Sequence, residues 1–303
     1  MISENNETGE SVFSLRTIFV LAFFILILVV AWIFLFGSKA DEEIFVCGDG
    51  TFYDTCSSAK PYFCSDRMLL EKVSVCGCPE ILKKEGNSCI SNYQNSSKEI
   101  TLKYVLNGEE KEINYVVYEG LVDYLFNLPK GISSNGDAEL LRKDFKLKKI
   151  DEKEQRELLL PLVIKIQNIT GVKKEQAKIA VSLVQNIPYV ESEKNYTMRN
   201  IVFNYSRYPY EVLYDNAGIF GEKSELLAFL LREIGYEVVI FSFPLINHEG
   251  VGVACSKIFD FEDSGYCYIE TTSAENLNGL VKSLPEEYEI IPISEGEYFG
   301  WKV

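Results

Sequence analysis

Nineteen apolar residues run without a break from Ile18 to Phe36 (IFVLAFFILILVVAWIFLF). As a helix they would extend roughly 28 Å, enough to cross a hydrocarbon core. The pattern predicts a transmembrane helix over residues 18–36, a single-pass membrane anchor, with a cytoplasmic tail over residues 1–17. Ser38-Lys39-Ala40 offers small residues at a cleavage-like spacing, but the apolar part of a signal peptide runs only about 7 to 15 residues, so the length favours the anchor. Arg16 and Lys39 place one basic residue on each side and leave orientation undecided.

Beyond the run, residues 44–91 alternate Gly, Ser, Pro and Asn with six cysteines, too few aliphatic residues to build a core alone. A polar linker, Tyr93 to Ser97, follows. Ile100, Leu102, Tyr104 and Leu106 then alternate with polar residues before Asn107-Gly108, and Ile113, Tyr115 and Val117 alternate after it, which predicts a β-hairpin. Residues 98–150 are read as this hairpin and a connecting region that includes the Gly/Ser/Asn stretch from Gly131 to Gly136. Helical spacing returns between Asp151 and Gln167, where Pro161 predicts a kink, and between Lys173 and Asn186, ending before Pro188. A third helix is predicted from Gly221 to Ile234, with Leu227, Leu230, Leu231 and Ile234 on one face and Gly235 as its stop. Strand patterns follow at Tyr236 to Phe243, from His248, and from Gly265 to Thr272, so the order is helix, strand, strand, strand.

Charge and cysteine usage narrow the function. Thirty Lys and Arg against 45 Asp and Glu give a net charge of −15, which leaves no cation excess to neutralise a phosphate backbone; nucleic acid is not an expected partner. A single histidine, His248, rules out multi-histidine metal sites. Neither a metal nor a cofactor is expected. Eight cysteines, at 47, 56, 64, 76, 78, 89, 255 and 267, all follow the apolar run, as disulfides in an oxidising compartment would. Zinc suits the first six less well, because Cys76-Gly77-Cys78 spaces two thiols by one residue and no partner Cys-x-x-Cys or histidine lies nearby. Six clustered cysteines allow fifteen pairings, and sequence does not choose among them. Glycosylation-type triplets begin at Asn95, Asn168, Asn195 and Asn204, which agrees with an extracytoplasmic body.

The segment from Asp151 to Thr272 carries more specific signals. Arg207-Tyr-Pro-Tyr-Glu211 is followed by Gly218-Ile-Phe-Gly-Glu-Lys-Ser224, by LLAFLLREIGYEVVIFSF, by His248-Glu-Gly-Val-Gly-Val253 and by Tyr268-Ile-Glu-Thr-Thr272. This series resembles the transglutaminase-like superfamily, whose papain-like core sets a cysteine at the start of a buried helix and a histidine and an acid on neighbouring strands. The resemblance implies an α+β fold class: an N-terminal transmembrane helix, a small disulfide-rich module over 44–91, and a transglutaminase-like domain over 151–303 with a helix packed on an antiparallel sheet. It places His248 at the general-base position and Glu270 at the position of the orienting acid, usually an aspartate. Phe220 stands where the family has its nucleophilic cysteine. A phenyl ring has no nucleophilic lone pair and cannot exchange a proton with an imidazole, so thiol catalysis is not expected there.

Substitutes for the lost thiol fit poorly. On one strand with His248, Cys255 would lie about 23 Å away and face the other side. Ser224 is one turn beyond Phe220, but the family motif has a serine there besides its cysteine. Taken alone, His248 reads as a hydrogen-bonded structural residue, Glu270 as a strand carboxylate and Phe220 as a core residue. The isolation of Cys255 and Cys267 from the other six cysteines predicts a disulfide between them. Register resists this pairing: if Cys255 faces Cys267 in a regular antiparallel ladder, His248 faces Ala274, and if His248 faces Glu270 the two cysteines lie about 13 Å apart. An irregular hairpin is expected to reconcile them. The functional expectation is a non-catalytic surface protein that binds or scaffolds a peptide, protein or glycan. Two alternatives stay open: an active cysteine-peptidase-like or amide acyl-transfer enzyme of the same fold, and an adhesion protein that works through its cysteine-rich module.

Overall fold

Asn107 and Gly108, both at positive φ, close a two-residue turn between β5 (Ser97–Leu106) and β6 (Glu109–Tyr118). Leu102, Tyr104, Leu106, Ile113, Tyr115 and Val117 face inward and are buried. This turn geometry matches the twist of the flanking strands, which is why Asn-Gly fixes the register here. The computed structural model describes residues 19–20, 22–29, 45–131, 141–198, 200–272 and 287–297. The chain divides into two units, residues 1–44 and 45–303.

In the first unit the described residues, 19–20 and 22–29, are helical. Among the described residues no helix is long and apolar enough to cross a membrane. The expected transmembrane helix, and with it the single-pass cell-membrane location, is therefore corrected. The remainder of 18–36 and the expected tail over 1–17 lie outside the described residues.

The second unit begins with the cysteine-rich segment. Strands β1 (Tyr62–Ser65) and β2 (Met68–Glu71) form one hairpin, the single turn α1 (Val73–Cys76) follows, and β3 (Lys83–Glu85) with β4 (Ser88–Ile90) forms another. Disulfides join Cys47 to Cys64, Cys56 to Cys76 and Cys78 to Cys89. The segment's apolar cluster is small, Cys47, Tyr62, Cys64 and Leu69, and is completed by Ile164 from the helix α4 (Lys153–Ile169). That helix continues through Pro161. A Cβ on Gly48 would sit 2.0 Å from the Gln167 carbonyl oxygen, so the close approach of loop and helix end requires glycine. Beside it, the Asn168 Oδ1 accepts the Leu69 N–H at 2.8 Å and its Nδ2 donates to the Leu69 carbonyl at 3.1 Å. Asn168→Ala would leave both main-chain groups of β2 without these partners, and is expected to destabilise the protein by about 1–3 kcal/mol; chemical denaturation checks this, an unchanged midpoint contradicting it.

Helices α2 (Glu119–Asn127), α3 (Arg142–Ile150) and α5 (Lys173–Gln185), the short hairpin of β7 (Asn195–Met198) and β8 (Ile201–Asn204), and α6 (Pro209–Asp215) lead to α7 (Phe220–Ile234). Strands β9 (Val238–Phe243), β10 (His248–Ala254), β11 (Tyr266–Ile269) and β12 (Glu289–Ser294) form an antiparallel sheet in the order β11-β10-β9-β12. The result is a mixed α and β structure with four disulfides. Helix α7 packs on the sheet and on α4, α5 and α6. Every residue from Gly221 to Leu231 is buried, which is more than the one apolar face the sequence predicts.

All six residues of β9 are buried, because the sheet is covered on both sides. Val238 and Ile240 join the main core with α7, while Val239, Phe241 and Phe243 meet Phe261 and Tyr268 on the other face. Such two-sided burial gives a continuous apolar strand in place of an alternating one. The two glycines of His-Glu-Gly-Val-Gly-Val lie under these rings: a Cβ on Gly250 would come within 2.4 Å of the Tyr268 ring, and one on Gly252 within 2.5 Å of Phe241.

Candidate functional site

The site is assembled at the first turn of α7. Glu222, in the third helical position, accepts the N–H of Ile219 at 3.1 Å, the N–H of Arg207 at 2.7 Å and the Arg207 guanidinium at 3.1 Å. Arg207 also reaches Asp215 at 2.8 Å. A carboxylate in the first turn satisfies otherwise unpartnered N–H groups and favours the positive end of the helix dipole. The Arg-Tyr-Pro-Tyr-Glu motif therefore anchors the helix start: Glu211 takes the same part in α6, accepting the Tyr208 N–H at 3.0 Å.

Phe220 opens α7 and is half-buried. Its ring centroid lies 5.1 Å from that of His248 and 6.2 Å from that of Tyr189. His248 opens β10, and Glu270 follows the last residue of β11. The His248 Nε2 is 2.8 Å from the Glu270 Oε2, and the Tyr268 hydroxyl donates to that same oxygen at 3.1 Å. The other carboxylate oxygen accepts the N–H groups of Thr271 (2.8 Å) and Thr272 (2.9 Å) and the Thr272 hydroxyl (2.7 Å). Burial pushes the Glu270 carboxyl up, but the hydrogen bonds from His248 and from the Thr272 side chain and backbone outweigh it and hold the group at about 2. Burial and the adjacent Glu270 push the Tyr268 phenol well above its ordinary value, so it stays a neutral donor. An ionised Glu270 only accepts, which assigns a proton to Nε2 and leaves Nδ1 as the ring nitrogen turned away from the carboxylate.

The expected site residues are thus gathered in one place: Phe220, His248 and Glu270 are contiguous. Cys255 and Cys267 form a disulfide with a Cα separation of 5.7 Å. The register falls between the two the sequence offered. Val253 faces Cys267 and Val251 faces Ile269, so a strict ladder would put Cys255 opposite Gly265 and His248 opposite Thr272. Regular pairing stops at Ala254 and Ile269, and the residues just beyond it make both contacts. Ser224 is buried and its hydroxyl lies 3.4 Å from that of Thr271; it ties the helix to the strand end. All eight cysteines are in disulfides.

Three further contributors escaped the sequence reading. Tyr268 lies two residues before Glu270, on the same strand face by the two-residue period, and that spacing is a usable signal. Tyr189 reaches Phe220 from the loop after α5, and nothing local marks it. Lys223 is fully buried, with its ammonium 2.7 Å from the Ile187 carbonyl and 3.4 Å from that of Gln185; burial lowers it to about 8. It fixes the loop that carries Tyr189. Behind the site, Lys146 links Glu225 (2.8 Å) to Glu249 (2.6 Å), joining α3, α7 and β10. Among the described residues there is no group of three or more His, Cys, Asp or Glu that could hold a metal ion.

A putative protease from Parabacteroides distasonis, known from its crystal structure, is similar with a TM-score of 0.30 and 15% sequence identity over 60% of this chain. The chain spans 37% of the length of that protein. No family model matches the chain. No curated protein matches it either. What the site can do therefore follows from its groups. It holds an imidazole against a fixed carboxylate, with a hydrocarbon ring beside it and no hydroxyl or thiol in hydrogen-bond reach of Nδ1 among the described residues.

Proposed function

We propose that the protein is a non-catalytic member of the transglutaminase-like superfamily that binds a peptide, protein or glycan outside the cytoplasm. The observation that carries this reading is the Phe220 ring, 5.1 Å from the imidazole of His248 at the first position of α7. A thiolate at that place would gain from the helix dipole and from a neighbouring imidazolium, and helix N–H groups would meet the oxyanion of an attacked amide. The ring removes the nucleophile and fills the space where a substrate carbonyl would approach. Loss of a serine nucleophile lowers turnover by on the order of a million-fold in a protease of another fold. The disulfides suggest an extracytoplasmic or secreted protein.

Binding is supported by what surrounds the ring. Tyr189 is 50% exposed beside it, and Leu245 and Ile246, in the turn that leads into His248, are 71% and 51% exposed. Aromatic and aliphatic groups left in water next to Phe220 and just before His248 suit the side chains of a peptide. The test is Phe220→Cys. The new thiol is expected to alkylate rapidly at pH 6, where an ordinary cysteine near 8.5 is almost entirely protonated, and to form an acyl adduct with an electrophilic amide probe. The unaltered protein is expected to form none. Adduct formation by the unaltered protein, or hydrolysis of an amide substrate by it, would overturn the proposal.

A further inference from the structure

A second feature lies away from Phe220 and does not depend on the reading of that residue. A cavity of about 130 Å³ opens between the end of α2, the helix α3 and the chain just after β8. Lys130, Lys148 and Lys149 line it, together with Tyr196, Asn204 and Ser206. The rings of Phe145, Tyr205 and Tyr208 complete the lining, and the Lys130 ammonium lies 4.5 Å over the Tyr205 ring; three lysines around one small space are unexpected in a chain of net charge −15.

Their partners make the excess clearer. Among the described residues, the Lys148 ammonium donates to the carbonyls of Pro129 and, at 2.7 Å, of Gly131. Lys130 donates to the carbonyls of Phe126 and, at 3.4 Å, of Leu125. Carbonyl dipoles hold these two side chains in place without cancelling their charge. Of the three, among the described residues, only Lys149 meets a carboxylate, Glu225 at 2.6 Å, and Lys146 shares that group; Lys149 also donates to the Ser206 hydroxyl at 2.9 Å. Lys194 lies 3.4 Å from Glu211, a buried acid whose charge also acts on Lys130. Burial lowers the Lys130 ammonium, Glu211 opposes this, and Lys148, Lys149 and Lys194 lower it further; burial lowers Lys148 as well. Both groups would be relieved by a negative charge among them.

We propose that this cavity binds an oxyanion, the sulfate, phosphate or carboxylate group of an extracytoplasmic ligand, through Lys130, Lys148 and Lys149 with Ser206 and Asn204 as neutral partners. A cavity of about 150 Å³ holds benzene, with six heavy atoms, so the space suits a group of about four or five heavy atoms, the size of such an anion. Ammonium groups act as point charges and do not demand the planar fork that arginine offers, so tetrahedral and planar anions both qualify. The cavity shares no lining residue with the Phe220 site, although a chain of charges from Lys149 to Glu225, Lys146 and Glu249, and the bond of Arg207 to Glu222, run between the two regions.

The test is titration of the full chain with inorganic sulfate, inorganic phosphate and glucuronate, against chloride at constant ionic strength, followed by calorimetry or amide chemical shifts. Saturable binding of at least one is expected below about 10 mM, the range in which a few charge-assisted contacts operate. A preference for sulfate or phosphate identifies a tetrahedral group as the ligand, and a preference for glucuronate identifies a sugar carboxylate. Lys130→Met and Lys148→Met are each expected to weaken binding about tenfold or more. Lys148→Arg should keep it, and Lys103→Gln, at a lysine paired with Glu110 on the β5–β6 hairpin, should leave it unchanged. If Lys130→Met fails to fold because α2 loses its end contact, Lys148→Gln decides alone. Absence of saturable binding by all three anions, or equal affinity in the folded lysine variants, would overturn the proposal.

Discussion

Reduction of the disulfides is expected to unfold residues 45–91 at neutral pH while the helices and sheet that follow keep their structure. The three bridges of this segment close loops of 17, 20 and 11 residues. By the chain-entropy relation each contributes about 3 kcal/mol, or about 9 kcal/mol together, as much as the whole stability of an ordinary domain. Against that loss the segment retains a small apolar cluster, Tyr62 and Leu69 with Ile164 from α4 and the partly buried Tyr53 and Ala59, and a few polar ties, the two bonds from Asn168 to β2, one from Gln176 to the Gly48 carbonyl and one between Ser91 and Glu154. The region around α7 has one bridge, Cys255 to Cys267, and a large core of its own. Hydrogen exchange with and without reductant measures the difference. Protection should vanish from the amides of β1, β2 and β4 and persist in α7 and β9. Equal protection of the first segment in both states would contradict the expectation.

The second large effect concerns Glu270. Its carboxyl is held at about 2 in the folded protein against an ordinary 4.5, and at about 1.4 kcal/mol per pKa unit this is worth about 3 kcal/mol at neutral pH. The folded value is depressed, so the contribution is complete above about pH 4.5 and is lost as pH falls through the interval from 4.5 to 2. Glu270→Gln removes it at every pH. Urea denaturation should find the variant about 3 kcal/mol less stable than the parent at pH 7, with the gap narrowing steadily on acidification. Other carboxylates titrate over the same range in both proteins, which is why the difference between the two curves is the quantity to follow. A gap that does not depend on pH would mean that the charge of Glu270 is not what stabilises the strand end.

Much of this was legible in sequence, for reasons that differ between elements. The β5–β6 hairpin was readable because Asn-Gly favours one turn and alternation fixes which side chains face inward. The helix from Phe220 was readable from its apolar spacing and from Gly235, which ends it in a left-handed conformation. The extent of burial was not: Glu222, Lys223, Ser224 and Glu225 are polar yet enclosed, each satisfied by partners distant in sequence. Contact between His248 and Glu270 came only from the family resemblance, because pairing rules alone gave two incompatible registers. The structure adopts a third and resolves the conflict at the strand ends, where ladder rules no longer apply. The fifteen possible pairings of the clustered cysteines could not be reduced by spacing. Two of the three bridges interleave, Cys47 to Cys64 and Cys56 to Cys76, an outcome set by how the hairpin of β1 and β2 folds back. The long apolar run was misleading in the other direction: composition favours a crossing helix, whereas among the described residues no helix is long and apolar enough to cross a membrane.

The inward turn of Asn168 has a consequence for how the protein matures. Asn168-Ile169-Thr170 has the form of an oligosaccharide acceptor, but in the finished fold its amide is engaged on both sides by Leu69. A transferase could reach it only before the two segments meet, about a hundred residues apart in the chain. In a host that modifies such triplets, sugar at this position would act as a timestamp, recording chains that were decorated ahead of docking and that could not afterwards close.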